Sequence, residues 1–131
     1  MILLDTCALL WLVGDQEKLS LLATKNITNN AGNLYVSSIS AFELSLKYEK
    51  GLLKLPFPPM KWFHEALLWH GLTEIAINSD IAIRSTLLPK IHQDPADRLI
   101  IATAMENQMA IITADKHIHS YNSHVSLKII W

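Results

Sequence analysis

Short apolar runs alternate with longer amphipathic segments along this chain, and glycine or proline stands at most of the boundaries between them. The short runs, rich in apolar and β-branched residues, predict strands: Ile2–Leu4, Leu34–Ser37, Glu74–Ile77, Ala110–Thr113 and Leu127–Ile130. The longer segments carry apolar residues at helical spacing and predict helices: Thr6–Val13, Gln16–Asn29, Ser40–Lys50, Met60–His70, Asp80–Leu88 and Pro95–Gln108. The last of these is apolar on nearly every side, which predicts that it is buried.

Strands and helices that alternate in this way are typical of an α/β fold, in which a parallel sheet carries helices on both faces. We expect about five strands and a single domain that spans residues 1–131. Right-handed crossovers would place every strand's carboxyl end, and the start of every following helix, at one edge of the sheet. Ligand sites in such folds lie along that edge.

Four acidic residues fall where this edge is predicted. Asp5 ends the first strand, Glu43 lies in the first turn of the helix after the second strand, and Asp97 lies in the first turn of the Pro95 helix. Asp115 follows the Ala110–Thr113 strand by one residue. Taken singly, each acid also suits a structural role at a helix start, as a cap, a capping-box member or a partner of the helix dipole.

Taken together, four convergent carboxylates would repel one another unless a cation lay between them. The only adjacent bases in the sequence are Arg98 and Lys116, and no histidine or cysteine stands at metal-ligand spacing with the acids. Oxygen ligands of this kind favour Mg²⁺ or Mn²⁺ over zinc. A divalent cation held by carboxylates suits phosphoryl chemistry, since it can activate water and offset phosphate charge.

Composition narrows the choice of function. Eleven basic and twelve acidic residues among 131 give a formal charge of −1, which excludes a nucleic-acid binder that depends on a large excess of positive charge. The positions Lys47, Lys50 and Lys54 could follow a phosphate backbone, although each also suits a solvated helix face. The single cysteine, Cys7, excludes an internal disulfide and is expected to be a small buried residue with no base placed to activate it. No apolar run is long enough to span a membrane, so we expect a cytoplasmic protein.

Four sequence motifs resemble those of the PIN domain family, and the most similar members are the VapC-type toxins of bacterial type II toxin–antitoxin pairs. The motifs occur in the same order and cover nearly the whole chain: Met1-Ile-Leu-Leu-Asp5-Thr6, Ser37-Ser38-Ile39-Ser40-x-x-Glu43, Asp94-Pro95-Ala96-Asp97-Arg98-Leu99-Ile100 and Ile112-Thr113-Ala114-Asp115. The resemblance implies a three-layer α/β/α sandwich whose acids bind Mg²⁺ or Mn²⁺ and cleave RNA.

By position, the resemblance makes Asp5, Glu43 and Asp97 the acidic trio and Asp115 a more variable fourth member. Thr6 and Thr113 correspond to hydroxyl residues that orient those carboxylates, and Arg98 is a supporting residue. The chain departs from the family pattern at Ala96, where a large apolar residue is usual, and at Cys7, where asparagine is common. Neither departure affects a candidate ligand.

The motif around Pro95 also separates two neighbouring acids by role. Because proline favours the first helical position, Asp94 is predicted to be the N-cap and Asp97 the third helical residue. Asp94 would then accept hydrogen bonds from the helix's own N–H groups, while Asp97 projects over the sheet edge toward Asp5. His92 precedes this motif and could contact substrate, but an ordinary loop position is the favoured interpretation. The histidines at 117, 119 and 124 are not expected to form a second metal site.

The favoured function is therefore a metal-dependent endoribonuclease that hydrolyses RNA with a metal-activated water and leaves a 5′-phosphate. A cognate antitoxin and a second copy of the chain are the expected partners, because the Trp62–Trp69 segment and the Thr6–Val13 helix with Trp11 carry much apolar surface. One alternative is an inactive PIN-like binding protein. Another, a phospho-acceptor receiver module, requires adjacent acids after strand one and an aspartate after strand three, but Asp5 stands alone and Asn78 follows Ile77.

Overall fold

A five-stranded, entirely parallel sheet forms the centre of the molecule in the computed structural model, which describes residues 1–131. The strands are β1 (Ile2–Leu4), β2 (Leu34–Ser37), β3 (Leu72–Ile75), β4 (Ala110–Ile112) and β5 (Ile129–Ile130). Their order across the sheet is β3-β2-β1-β4-β5. The expected α/β architecture with about five parallel strands is confirmed.

Seven helices connect and cover these strands. They are α1 (Thr6–Gly14), α2 (Leu21–Asn29), α3 (Ser38–Glu49), α4 (Pro59–His70), α5 (Ser79–Leu87), α6 (Pro95–Glu106) and α7 (Lys116–His119). Short 3₁₀ turns occur at Gln16–Lys18 and Ser120–Ser123. None of the helices has the length and apolar character needed to cross a membrane.

Two apolar cores, one on each face of the sheet, account for the uninterrupted apolar character of β1. Ile2 and Leu4 face a core shared with α1 to α4, whereas Leu3 faces a core built mainly with α6 and α7. Successive side chains of a strand point to opposite faces, so a strand that is buried on both sides must be apolar at every position. All three side chains of β1 are at most 4% exposed.

The order of the strands creates a switch point beside β1. The chain moves outward from β1 to β2 and β3, then returns to the other side of β1 for β4 and β5. Leu4 pairs with Val36 on one side and with Ile112 on the other, so the residues that follow these three positions emerge at one level. In open α/β sheets the crevice outside such a switch point is the usual ligand site.

Two predicted elements differ from the observed ones. The single helix expected over Gln16–Asn29 is interrupted: the Gln16–Lys18 turn ends at Leu19, whose backbone is extended, and α2 begins after Ser20. The Ser20 hydroxyl accepts a hydrogen bond from the Ala23 N–H at 3.0 Å, which satisfies an otherwise free donor at the helix start. An internal cap of this kind favours two short elements over one continuous helix.

The strand expected at Glu74–Ile77 lies two residues earlier, as β3. Gly71 adopts the left-handed conformation, with φ of 61°, and ends α4 so sharply that Leu72 already lies in the sheet. At the other end, the Ile77 N–H leaves the ladder and donates to the Ser38 hydroxyl at 3.2 Å. The third strand is therefore displaced by a helix cap and a side-chain acceptor.

A candidate active site at the carboxyl edge of the sheet

An open, acidic cleft of about 340 Å³ lies at the carboxyl ends of β1, β2 and β4, beside the switch point. All four acids singled out from the sequence contribute to it. Its lining consists of Asp5, Thr6, Cys7, Trp11, Glu43, Lys47, Asp94, Asp97, Ala114 and Asp115. Lys47 is the only lysine or arginine side chain in this lining, so the cleft is strongly anionic.

Asp5 is the most deeply placed of the acids, at 5% exposure. It is the N-cap of α1, where one carboxylate oxygen accepts from the Ala8 N–H at 2.8 Å. The other oxygen accepts a hydrogen bond from the hydroxyl of Thr113, which follows β4. The capping role and the site role expected from sequence are thus compatible, because each uses a different oxygen of the same carboxylate.

Glu43 reaches the cleft from α3 and is held by Thr6. The Thr6 hydroxyl donates to Glu43 Oε1 at 2.5 Å and lies 2.9 Å from the buried Ser40 hydroxyl. The N-cap of α3 is Ser37, which accepts from the Ile39 N–H at 3.1 Å. The expected placement of Glu43 in the first turn is therefore wrong: it lies in the second turn, and the capping box that would start at Ser40 does not form.

Asp94 and Asp97 divide their roles as the proline between them predicts. Asp94 is the N-cap of α6 and accepts from the Ala96 N–H at 2.9 Å. Asp97 is the third helical residue, and its carboxylate lines the cleft. Its Oδ2 lies 2.7 Å from His92 Nε2, a contact that was not anticipated.

Asp115 enters the cleft from the loop that follows β4. It caps α7 by accepting from the His117 N–H at 2.8 Å, while its own backbone N–H donates to the Thr113 hydroxyl at 2.9 Å. Thr113, which is fully buried, therefore fixes the carboxylate of Asp5 and the backbone of Asp115 together.

Burial and mutual repulsion raise the pKa of Asp5 and of Asp97, the two central aspartates. Burial is the main cause that raises the pKa of Asp5 from 3.8 to about 6; the Asp97 and Asp115 charges add to it, while hydrogen bonds from Thr113 and Ala8 act in the opposite direction. Burial also raises the pKa of Asp97 to about 6, with further contributions from its acidic neighbours and an opposing one from His92. Both sites hold their negative charge at a cost, which a nearby cation would reduce.

Cys7 does not match its expected place, because its side chain is exposed and lines the cleft. It is the second residue of α1, on the side of the helix that faces the acids. Partial burial and the neighbouring Asp5 carboxylate raise the pKa of the Cys7 thiol. The group remains a thiol at neutral pH, which argues against a role as nucleophile.

Arg98 follows Asp97 but turns away from the acids. Its guanidinium donates to the backbone carbonyls of Ser85, Leu88, Pro89 and His92 and to the Tyr121 hydroxyl, at 2.9 to 3.1 Å. Arg98 thus fastens the loop between α5 and α6, the loop that carries His92. The sequence marked Arg98 as a base adjacent to the acids and as a supporting residue, but it did not predict these contacts.

Three further residues lie near the acids, and their contacts there were not predicted from the sequence. Ser40 is fully buried behind Thr6, Lys47 lines the cleft, and His92 contacts Asp97. Lys47 stands four residues after Glu43, a spacing that places both side chains on one side of α3, and the sequence had already marked Lys47 as a position that could follow a phosphate backbone. His92 was expected to be an ordinary loop residue, and its hydrogen bond to Asp97 corrects that expectation.

A family model described as PIN domain matches residues 2–123. Over 131 residues the chain is 31% identical to Ribonuclease VapC22 of Mycobacterium tuberculosis (strain ATCC 25618 / H37Rv), a match that covers 99% of this chain and 98% of that protein. The chain belongs to the PIN domain family.

Solved structures that resemble this PIN domain include a toxin–antitoxin complex and two VapBC structures bound to DNA. VapBC2 from Rickettsia felis, bound to a promoter DNA fragment, matches with a TM-score of 0.70 and 17% identity, covering 98% of this chain and 97% of that one. DNA-bound VapBC from Salmonella typhimurium matches at 0.66 and 16%, covering 98% and 95%. A toxin–antitoxin complex from Klebsiella pneumoniae matches at 0.62 and 23%, covering 88% of each chain. At these identities the shared property is the fold.

Proposed function

We propose that this PIN domain is a metal-dependent endoribonuclease and the toxin of a type II toxin–antitoxin pair. The observation that carries the proposal is the convergence of Asp5, Glu43, Asp97 and Asp115 on one cleft beside the switch point of the sheet. Similarity to a named VapC ribonuclease over the whole chain supports the reaction class.

The donor set of the cleft fits a hard divalent cation, Mg²⁺ or Mn²⁺. Asp5 and Asp97 would hold it, with Glu43 and Asp115 completing the set. All four offer carboxylate oxygens, the ligands that these ions prefer. The pKa values of Asp5 and Asp97, which burial raises, support the same assignment, because a bound cation would stabilise these buried negative charges.

A cation bound there would supply the positive charge that acidifies a water molecule and offsets the charge of a phosphodiester. The chain's own residues prepare the site. Thr113 keeps one oxygen of Asp5 in place, and Thr6 does the same for Glu43, so the carboxylates need little reorganisation when substrate arrives. The ammonium group of Lys47 can attract an RNA phosphate into an otherwise anionic cleft. Hydrolysis would leave a 5′-phosphate.

We further propose two protein partners, a cognate antitoxin and a second copy of the chain. A similar structure from Klebsiella pneumoniae is a toxin–antitoxin complex, which supports the antitoxin. An apolar groove lies between the end of α1 and α4 and is lined by Val13, Phe57, Trp62 and Trp69. An apolar segment of that antitoxin would bind in this groove. A basic or polar residue of the same segment would reach the acidic cleft.

RNA cleavage with Mg²⁺, Mn²⁺ or EDTA tests the proposed reaction. We expect cleavage with either cation and none in EDTA, and we expect Asp97→Asn to fold normally yet cleave orders of magnitude more slowly. Full activity in EDTA, or activity restored by Zn²⁺ alone, would contradict a carboxylate-bound hard cation. A wild-type protein that binds Mn²⁺ but leaves RNA intact would favour the inactive binding protein instead.

A further inference from the structure

His92 connects a loop to the acidic cleft through one hydrogen bond. Its Nε2 lies 2.7 Å from Asp97 Oδ2, and the two side chains are only 18% and 14% exposed. An ionised carboxylate can only accept, so Nε2 carries the proton and donates. Asp97 has no other side-chain hydrogen bond, and His92 is therefore the group that sets the rotation of this carboxylate.

Hydrogen bonds also fix the backbone of His92 on both sides of its Cα atom. Its backbone N–H donates to the Tyr121 hydroxyl at 3.2 Å, and its backbone carbonyl accepts from Arg98 Nη1 at 3.0 Å. Tyr121 is fully buried, and its hydroxyl donates to the Pro89 carbonyl at 2.9 Å. The backbone of the loop is therefore tied both to α6 and to the segment after α7.

The imidazole ring is also held from its face. It stacks on the ring of His117, with centroids 4.5 Å apart and planes inclined by 8°. This stacking favours the observed ring plane, in which Nε2 donates toward Asp97. Contacts with Tyr121, Arg98 and His117 therefore help to place the Nε2–H of His92.

We propose that His92 is a positioning residue, whose ring N–H turns the Asp97 carboxylate so that its other oxygen binds the divalent cation. The inference rests on the proposed function for the identity of Asp97 as a ligand. Outer hydrogen-bond partners of metal ligands commonly change metal affinity or activity 10–100-fold when they are removed. Asp94, which lies close to both side chains, is already committed to capping α6.

Binding of Mn²⁺ alone, followed by electron paramagnetic resonance, provides a readout that does not require RNA cleavage. His92→Phe keeps a flat ring against His117 but removes the N–H, and we expect it to weaken Mn²⁺ binding roughly 10- to 100-fold. His92→Gln carries an amide N–H at a similar reach and should recover most of that affinity. His124→Phe, a change at an exposed histidine outside the cleft, should bind Mn²⁺ like the wild type.

A second pair of measurements separates the hydrogen bond from packing and from direct ligation. His117→Ala removes the stacking partner but not the N–H, so its Mn²⁺ affinity should stay within a few-fold of wild type. Equal losses in His92→Phe and His92→Gln would overturn the proposal, as would a ¹⁴N coupling from a directly bound imidazole in the wild-type Mn²⁺ spectrum. Wild-type affinity in His92→Phe would overturn it as well.

The proposed reaction and this inference fail in different ways. If the wild type binds Mn²⁺ without cleaving RNA, and His92→Phe binds it weakly, the function is wrong and the positioning role stands. If the wild type cleaves RNA, and His92→Phe cleaves and binds Mn²⁺ equally well, the function stands and the positioning role is wrong.

Discussion

Asp5 and Asp97 each lie at the start of a helix and also line the cleft. In both cases the capping of the helix and the contact within the cleft are made by different oxygen atoms or by different residues. Asp5 caps α1 with one oxygen and meets Thr113 with the other. Asp97 leaves the capping of α6 to Asp94 and meets His92. Substitutions at single residues can therefore separate stability from chemistry.

Asparagine substitutions at Asp94 and Asp97 should differ in their effect on RNA cleavage. Asparagine caps a helix about as well as aspartate, so Asp94→Asn should be nearly silent, whereas Asp94→Ala should cost on the order of 1 kcal/mol of unfolding free energy. Asp97→Asn should fold and lose cleavage by orders of magnitude. Urea unfolding and RNA cleavage measure the two effects, and a cleavage defect in Asp94→Asn with normal activity in Asp97→Asn would reverse the assignment.

The metal-free protein should lose stability as the pH rises from about 4 to 6. Asp5 and Asp97 have pKa values of about 6 in the folded state against 3.8 ordinarily, so the folded state binds more protons in this window than the unfolded state does. The free energy of unfolding then falls with rising pH, on the order of 2 kcal/mol for each group. His70, whose pKa is lowered by burial, acts in the opposite direction.

Urea unfolding in EDTA at pH 4.5 and 7 measures this loss. Asp97→Asn should remove about half of it while leaving the His70 contribution in place. Saturating Mn²⁺ at pH 7 should restore stability in the wild type and restore less in Asp97→Asn. Stability that increases steadily from pH 4 to 7 in EDTA would show that the two aspartates titrate normally.

Helix and strand boundaries in this fold are set by caps as much as by apolar periodicity. Ser20 divides the segment expected to form one helix, and Gly71 ends α4 and thereby displaces β3. Cap hydrogen bonds are local, so each boundary can be tested without disturbing the cleft.

Removal of the Ser20 cap should weaken α2 alone. Ser20→Ala leaves the Ala23 N–H without its acceptor and should cost about 1 kcal/mol, whereas Ser20→Asp keeps an acceptor and should be nearly neutral. Neither change should alter RNA cleavage, since α2 does not line the cleft. Thermal unfolding of the three proteins gives the comparison, and equal melting temperatures for Ser20→Ala and the wild type would show that another contact starts the helix.

The strands illustrate what a single sequence can and cannot specify. β1 is buried on both faces and has an unmistakable apolar run, whereas β3 is an edge strand whose Thr73 and Glu74 are exposed. An edge strand has only one neighbour, so its bounds depend on where the preceding helix stops. The end of α4 depends on the left-handed backbone conformation of Gly71, which the apolar pattern does not predict.

The acids of the cleft were recognisable because they stand beside strand ends and helix starts, positions that topology brings to one edge. The Thr113–Asp5 contact joins residues 108 apart, and only the motif resemblance indicated it. His92 could not be placed, because its orientation depends on Tyr121 and Arg98 through contacts made only in the folded chain. Cys7 was misplaced since burial of a helix residue depends on which side faces the cleft.

Considered as a whole, the molecule leaves large apolar side chains uncovered on α3 and α4. Trp62 and Phe63 belong to the core, but Phe42, Leu68 and Trp69 are 61%, 79% and 81% exposed. Trp11, by contrast, is half-buried and packs against Trp131. The expected exposed apolar surface is therefore present at the end of α4, at Leu68 and Trp69, but Trp62 is buried in the core.

We expect a homodimer at micromolar concentration, which would cover part of this surface. Leu68→Ala should weaken the dimer about tenfold, because Leu68 is 79% exposed, lies outside the antitoxin groove and would be buried by a second copy. Lys25→Ala, a change at an exposed residue of α2, serves as the matched control. Sedimentation equilibrium measures both; a wild-type monomer, or equal effects of the two substitutions, would contradict an interface at this end of α4.

The position of β1 between β2 and β4 also governs when the cleft can exist. Thr113 and Asp115 enter it only through β4, and residues 110–112 of that strand follow Asp5, Glu43 and Asp97 in the chain. A nascent chain that ends before them already carries Asp5, Glu43 and Asp97 but lacks one neighbour of its central strand. Domains generally acquire their structure as a unit once the strands that complete the sheet are available. The cleft therefore cannot assemble on a nascent chain until β4 has emerged from the ribosome, well after the first three acids have been synthesised.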